Sequence, residues 1–207
     1  VIANSLAANP GLGIDFDNHG NPPNDPGDGA GPGPNDWHNH PEITSATVVG
    51  TTVTVDFDLD VPPGDYRVEV YTNPSGLDLS NNGEGEQWEN ATTVSHTGSG
   101  AESFQVTYSG ALGDEVTLTA TEESSGPIYG STSEFSTGAT VTPGSFVVNS
   151  TGDGIDDNHG DGVCDTGGTV GADPECTLRA AIEEANALGG ADTISFAIPT
   201  SDPNWNA

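Results

Sequence analysis

The sequence predicts a mainly β protein with an antiparallel sandwich at its centre, and three observations carry that expectation. Between residues 42 and 142, apolar and polar residues alternate with period two: Val53, Val55, Phe57, Leu59 and Val61 are set between Thr52, Thr54, Asp56, Asp58 and Asp60. Gly (29) and Pro (15) make up about a fifth of the 207 residues, a density that favours short strands joined by turns. One stretch alone, residues 178–188, carries a convincing apolar period of a helix.

Three zones follow along the chain. In residues 1–41, the opening Val1-Ile2-Ala3-Asn4-Ser5-Leu6 to Leu12-Gly13-Ile14-Asp15-Phe16 reads as short apolar strands separated by Asn and Gly turns, the way one rung of a β-solenoid is written. The rest of that zone, as in Asn21-Pro22-Pro23-Asn24-Asp25-Pro26-Gly27-Asp28-Gly29, is too rich in turn formers for any regular element, so it is a loop that needs something to order it. In residues 42–142, alternating runs recur at Tyr66–Thr72, Trp88–Ser95, Ser103–Tyr108, Glu115–Thr121 and Ile128–Ser136. About seven strands in about 100 residues predict an immunoglobulin-like or fibronectin-like sandwich. Its core must rest on Val, Phe, Tyr, Leu and Trp, because the zone contains no cysteine. Residues 143–207 hold a strand Ser145–Asn149, a Gly/Asp loop, and an amphipathic helix with Leu178, Ala181, Ile182, Ala185 and Leu188 as its buried stripe. Thr177 is its expected N-cap and Gly189-Gly190 its stop, and a strand from Asp192 to Pro199 follows.

Charge narrows the function classes. There are 32 Asp and Glu against two basic residues, Arg67 and Arg179, for a net charge of -30. Nucleic acid is excluded as a partner, since phosphate binding needs clustered Lys and Arg. Such a chain must hold its own repulsion in check through surrounding salt or bound cations. No apolar run nears the roughly 18 residues that span a bilayer, so membrane insertion is not expected.

Two Asp/Asn loops are candidate cation sites. Asp153, Asp156, Asp157, Asn158, Asp161 and Asp165 are interleaved with glycines that let the backbone curl until oxygens converge on a hard cation such as Ca²⁺. The EF-hand register fails, because a loop begun at Asp157 puts Gly168 where a bidentate Glu is needed. The other reading of this stretch is a solvated acidic turn. Asp15, Asp17, Asn18, Asn24, Asp25, Asp28, Asn35 and Asp36 form the second group, in a loop long enough to need an ordering ligand. Trp37, His38 and His40 close that loop and pack most simply against the sandwich, a transition-metal site being the alternative. Cys164 and Cys176, twelve positions apart in a region poor in other soft ligands, read as a local disulfide in an oxidising compartment or else as two buried thiols. Arg179 sits in the first helical turn, where the helix dipole disfavours a cation, and so implies an acidic partner: Glu183 or an acid of the neighbouring loop. Arg67 beside Glu69 reads as half of a cross-strand ion pair. Asn90-Ala91-Thr92 and Asn149-Ser150-Thr151 match the glycosylation sequon, a triplet common by chance in Thr-rich chains.

Phe146-Val147-Val148-Asn149, then Asp161-Gly162-Val163-Cys164-Asp165, then Cys176-Thr177-Leu178-Arg179-Ala180-Ala181-Ile182-Glu183-Glu184-Ala185-Asn186-Ala187, and last Ile194-Ser195-Phe196-Ala197-Ile198-Pro199, together resemble the CSLREA domain. Thr177 stands where that family has Ser, and Ala180 where it has Glu. The resemblance implies the start of a secreted right-handed parallel β-helix, with the helix as its N-terminal cap. Residues 1 to about 137 resemble the segment that follows the β-helix in many bacterial surface proteins: a last rung ending in Gly11-Leu12-Gly13-Ile14-Asp15, a loop, and a sandwich ending in Thr132-Ser133-Glu134-Phe135-Ser136. The expected architecture is therefore an immunoglobulin-like antiparallel sandwich flanked by partial right-handed parallel β-helix segments, with one short capping α-helix.

No Ser-His-Asp or Cys-His constellation carries a supporting motif, and the two arginines both have structural readings, so catalysis is not expected. The sequence predicts an extracellular or cell-surface structural protein that assembles head to tail with itself, or with neighbouring repeats of one chain, through Val1, Ile2, Leu6, Leu12, Ile14 and Phe16 at one end and Ile194, Phe196 and Ile198 at the other. Alternatives are a module binding surface glycans through exposed Trp37, Trp88 or Trp205 and, behind it, a polysaccharide lyase.

Overall fold

A computed structural model describes residues 2–9, 12–16, 20, 23–28, 33–77, 81–123, 129–188, 192–202, 204 and 205. The protein is mainly β with a single α-helix among these residues, and the chain divides into two compact units, Val1–Ala46 with Val53–Val141 and Thr47–Thr52 with Thr142–Ala207.

In the first unit, strands β1 (Glu42–Val49), β2 (Thr52–Leu59) and β5 (Glu102–Ser109) lie in one sheet in the order β5-β2-β1. Strands β3 (Gly64–Thr72), β4 (Gln87–His96), β6 (Glu115–Glu123) and β7 (Tyr129–Thr132) form the other, in the order β4-β3-β6-β7, with β8 (Ala139–Thr140) also on β6. Five of the alternating runs of the sequence coincide with β2 to β6, and of the sixth, Ile128–Ser136, the part Tyr129–Thr132 is β7. Strand β3 is hydrogen-bonded along its length to β4 and β6, both antiparallel. Both of its faces are buried: Tyr66, Val68 and Val70 on one, Glu69 and Tyr71 on the other. Val53, Val55, Phe57 and Leu59 of β2 are likewise fully buried, as alternation demands. Phe104 of β5 contacts both Phe57 of β2 and His96 of β4.

After β7, Ser133 and Ser136 stand in for ladder partners of β6. Each accepts and donates: Ser133 N–H reaches the Ala120 carbonyl and Ser136 N–H that of Leu118, while their hydroxyls accept from the N–H groups of Ala120 and Leu118. This turns the side chains of Glu134 and Phe135 into the protein, where Phe135 meets the Tyr71 ring edge-on at 5.3 Å.

The expected strands between Val1 and Phe16 are absent among the described residues of that stretch. Ala3 and Ala8 adopt left-handed backbone conformations (φ 48° and 59°) that interrupt any extended run, and the segment lies as an irregular strap on the first unit. Val1 lies outside the described residues.

In the second unit, the end of β1 pairs in parallel with β9 (Thr142–Pro143), Thr47 opposite Thr142. Strand β10 (Ser145–Val148) pairs in parallel with β13 (Thr193–Phe196), Phe146 opposite Ile194, in a two-stranded sheet. Between them run a small hairpin, β11 (Thr169–Val170) with β12 (Asp173–Pro174), and helix α1 (Leu178–Ala187). The hairpin escaped the sequence reading because its strands are two residues each. Thr177 caps α1 as expected, its hydroxyl accepting from Ala180 N–H at 3.0 Å, a contact of about 1 kcal/mol; the expected stop at Gly189-Gly190 lies outside the described residues.

The helix is rotated from the expected stripe. Ala180, Ala181 and Glu184 are its buried residues, whereas Leu178 and Ile182 are 43% and 44% exposed. The reason is polar: the Glu184 carboxylate accepts from the backbone N–H groups of Gly160 and Gly162 and so draws that face inward. Phe146, Val148, Cys176 and Ala181 form the small core, with Ala185, Leu188, Ile194 and Ile198 packed against it.

Candidate functional site

The acidic loop of the second unit is ordered by its own chain. Cys164 and Cys176 are disulfide-bonded, with Cα atoms 5.3 Å apart. Asp153 takes a bidentate ion pair from Arg179, Nε and Nη2 each at 2.7 Å, and the hydrogen-bonded guanidinium holds its carboxyl below the usual carboxylate range. Arg179 thus finds its acid in the loop. Asp156 is buried and accepts from the N–H groups of Asn158 and Asp165, yet burial outweighs those bonds and pushes its carboxyl up. Asp161 accepts from Val163 N–H and from the Asn158 amide, and Asp165 from Gly167 N–H. Asp157 is exposed and joins the turn through its backbone N–H to the Asp165 carbonyl. From the helix and the hairpin side, Glu183 accepts from Asp156 N–H, and Glu175 accepts from the hydroxyls of Ser150 and Thr166, which lower its carboxyl. Of the six predicted ligands, Asp156, Asp161 and Asp165 therefore accept from separate backbone N–H groups, Asp153 is paired with Arg179, and Asn158 donates to Asp161.

In the first loop Asn24, Asp25 and Asp28 bind the segment 38–40. Asn24 bonds the backbone of His40 on both sides, Asp25 N–H donates to the Asn39 side chain, and Asp28 accepts from Asn39 N–H while contacting His38 Nδ1 at 2.8 Å. His38 stacks on Tyr66 of β3 at 5.4 Å, packing on the sandwich strand as the simpler sequence reading has it, whereas the ring contact of Trp37 is edge-on with Phe16. Asp15 is exposed beside these contacts; Asp17 and Asn18 lie outside the described residues. No cluster of three or more His, Cys, Asp or Glu fit to hold a metal occurs among the described residues.

The strap is held by main-chain donors and, mostly, side-chain carboxylates. Ala3 N–H donates to Glu69 at 3.1 and 3.2 Å, Leu6 N–H to the Gly85 carbonyl at 3.0 Å, Asn9 N–H to Glu84 at 3.2 Å, and Phe16 N–H to Glu134. Ile2, Leu6, Leu12 and Ile14 are half-buried and Phe16 is buried. Glu69 is the hub: it also accepts from Arg67 Nε and Nη2, Tyr71 Oη and Trp88 Nε1. The Arg67–Glu69 pair therefore runs along one strand, two residues apart on one face, and not across strands as expected. Sequence reasoning missed Glu69 as an acceptor; the available signal was one of only two cations two positions from an acid inside an apolar strand. Glu134 has one buried oxygen without a partner among the described residues, and burial pushes its carboxyl up to about 7.

An apolar groove of about 720 Å³ opens on the second unit. Val148, Leu178, Ile182, Phe196 and Ile198 line it, and Asp153 and Arg179 stand at its polar edge. Phe196 is 63% exposed and Val147, on the outer face of β10, 46%. Ile194, by contrast, is half-buried in the small core. No helix among the described residues is long and apolar enough to cross a membrane. No protein-family model, no curated protein and no solved structure matches the chain.

Proposed function

We propose that the chain is a non-enzymatic structural subunit, or repeat, of an extracellular surface assembly, in which an immunoglobulin-like sandwich is displayed beside the first part of a parallel β-helix. The observation that carries this reading is the pair β10–β13. A two-stranded sheet is marginal alone, and this one leaves Phe196 and Val147 in solvent beside an apolar groove. Exposed strand edges recruit further strands, and a head-to-tail contact between unlike surfaces builds open fibres when its rotation does not close a ring. The disulfide supports an oxidising, extracellular setting. Calcium as a stabiliser rests on the charge of -30, since Asp156, Asp161 and Asp165 already accept backbone N–H bonds and Asp153 pairs with Arg179.

Sedimentation and negative-stain microscopy of the whole protein test the reading. Concentration-dependent fibres are expected, and Phe196→Asp, at an exposed position, abolishes them while the subunit stays folded. A monomer at every concentration, with or without Ca²⁺, overturns it. The glycan-binding alternative draws less support, because Trp88 is tied to Glu69 and Trp37 packs on Phe16, leaving Trp205 as the exposed indole among the described residues. A lyase draws less still, with Arg67 and Arg179 both held in ion pairs.

A further inference from the structure

The strap and the surface beneath it are separable pieces. Its four anchoring bonds come from backbone N–H groups, which any extended segment of similar shape supplies. The acceptors, in turn, are positioned without the strap. Glu69 is fixed by Arg67, Tyr71 and Trp88. Glu84 and Gly85 are fixed by their own N–H groups donating to Asn73 Oδ1 at 3.1 and 2.9 Å. Glu134 is aimed by the flanking serines on β6. Removing the strap leaves a formed row of acceptors rather than a collapsed surface.

The seat also has costs. Ala3 and Ala8 hold left-handed conformations that an alanine pays for in strain, and one Glu134 oxygen is buried without a partner among the described residues. The strap is joined to the next pinned residues, which begin with Asn24, by the stretch Asp17-Asn18-His19-Gly20-Asn21-Pro22-Pro23, seven residues that reach about 24 Å when extended. The same bonds form whether the strap comes from its own chain or from an adjacent one, the condition for exchange of an identical element between copies.

We propose that the acceptor row Glu69, Glu84, Gly85 and Glu134 is a receptor for the strap of a second copy, so that subunits are linked by strap exchange. The inference deepens the assembly reading and rests on it for the presence of neighbouring copies. It assigns the strap a partner on the two-sheet unit, distinct from the groove beside β13.

Because the two native cysteines are bonded to each other, introduced thiols are unambiguous. Asn9→Cys and Glu84→Cys place thiols on adjacent residues across the seat, where the Asn9 N–H donates to the Glu84 carboxylate at 3.2 Å. The double variant, treated with a short bismaleimide, shows that the seat is occupied by joining internally or in ladders. The decisive sample mixes the two single variants under assembling conditions: an adduct of twice the chain mass containing one of each is expected, suppressed by excess synthetic peptide of residues 1–16. Internal joining in the double variant with no mixed adduct overturns exchange, as does a double variant that never joins. Loss of fibres in Phe196→Asp with the mixed adduct retained leaves exchange standing, whereas fibres without mixed adduct sink exchange and spare the assembly reading.

Discussion

The strap and the disulfide loop solve one problem differently. Both are irregular stretches whose backbone groups need partners, and in both carboxylates accept backbone N–H bonds. In the second unit the loop is closed covalently, and its acceptors, Asp156, Glu183 and Glu184, come from the loop and the helix it packs on. In the first unit the strap has no covalent closure, and its acceptors sit more than 65 positions away in sequence. The difference teaches which irregular segment is built to stay and which to move.

The strongest way to break the comparison is Glu69→Ala. It strands Arg67, Tyr71, Trp88 and the first strap anchor at a fully buried position, and we expect a loss of about 4 kcal/mol by denaturant titration. A loss below about 1 kcal/mol would mean that these donors find water and that the hub is dispensable. Next, reducing Cys164–Cys176 or replacing both by Ala removes about 3 kcal/mol from the second unit in the chain-entropy model. Hydrogen exchange should rise in residues 149–188 and stay level in β2 to β6; equal loosening of both would erase the contrast.

The smallest effect is the pH response of the strap. The folded carboxyl of Glu134 titrates at about 7, above its ordinary 4.5, so its ionised form is penalised in the native state. That contribution is intact below pH 4.5 and is lost as pH rises through 7, by no more than about 3 kcal/mol. Strap amides should therefore exchange faster at pH 8 than at pH 5, after correction for intrinsic rates, and Glu134→Gln should flatten the difference. Asp156, also raised by burial, acts in the same direction in the second unit, so the comparison of Glu134→Gln with wild type is the informative one. An unchanged slope would show that the Glu134 carboxyl does not govern the seat.

How far the sequence was legible follows from the range of each interaction. Alternation along β2 to β7 and the N-cap at Thr177 are local, and they read directly. The rotation of α1 was not legible, because the apolar stripe is a local signal while Glu184 is drawn inward by Gly160 and Gly162, more than 20 residues away. The strap failed for the same reason: Ile2, Leu6 and Ile14 look like strand residues until the acceptors on Glu69 and Glu134 are known. The acid clusters were legible only as clusters. Composition shows that Asp153, Asp156 and Asp161 are near one another, but not that backbone amides and Arg179 already occupy them.

The scarcity of cations has a consequence beyond charge. A protease that cuts after basic residues finds two bonds in 207 residues, Arg67–Val68 and Arg179–Ala180. The first lies in β3, hydrogen-bonded on both sides; the second lies in the capped first turn of α1, with its arginine gripped by Asp153. Cleavage at either requires local unfolding before the backbone can enter an active-site cleft. The protein should therefore resist trypsin-like enzymes for as long as its two arginines stay folded in place.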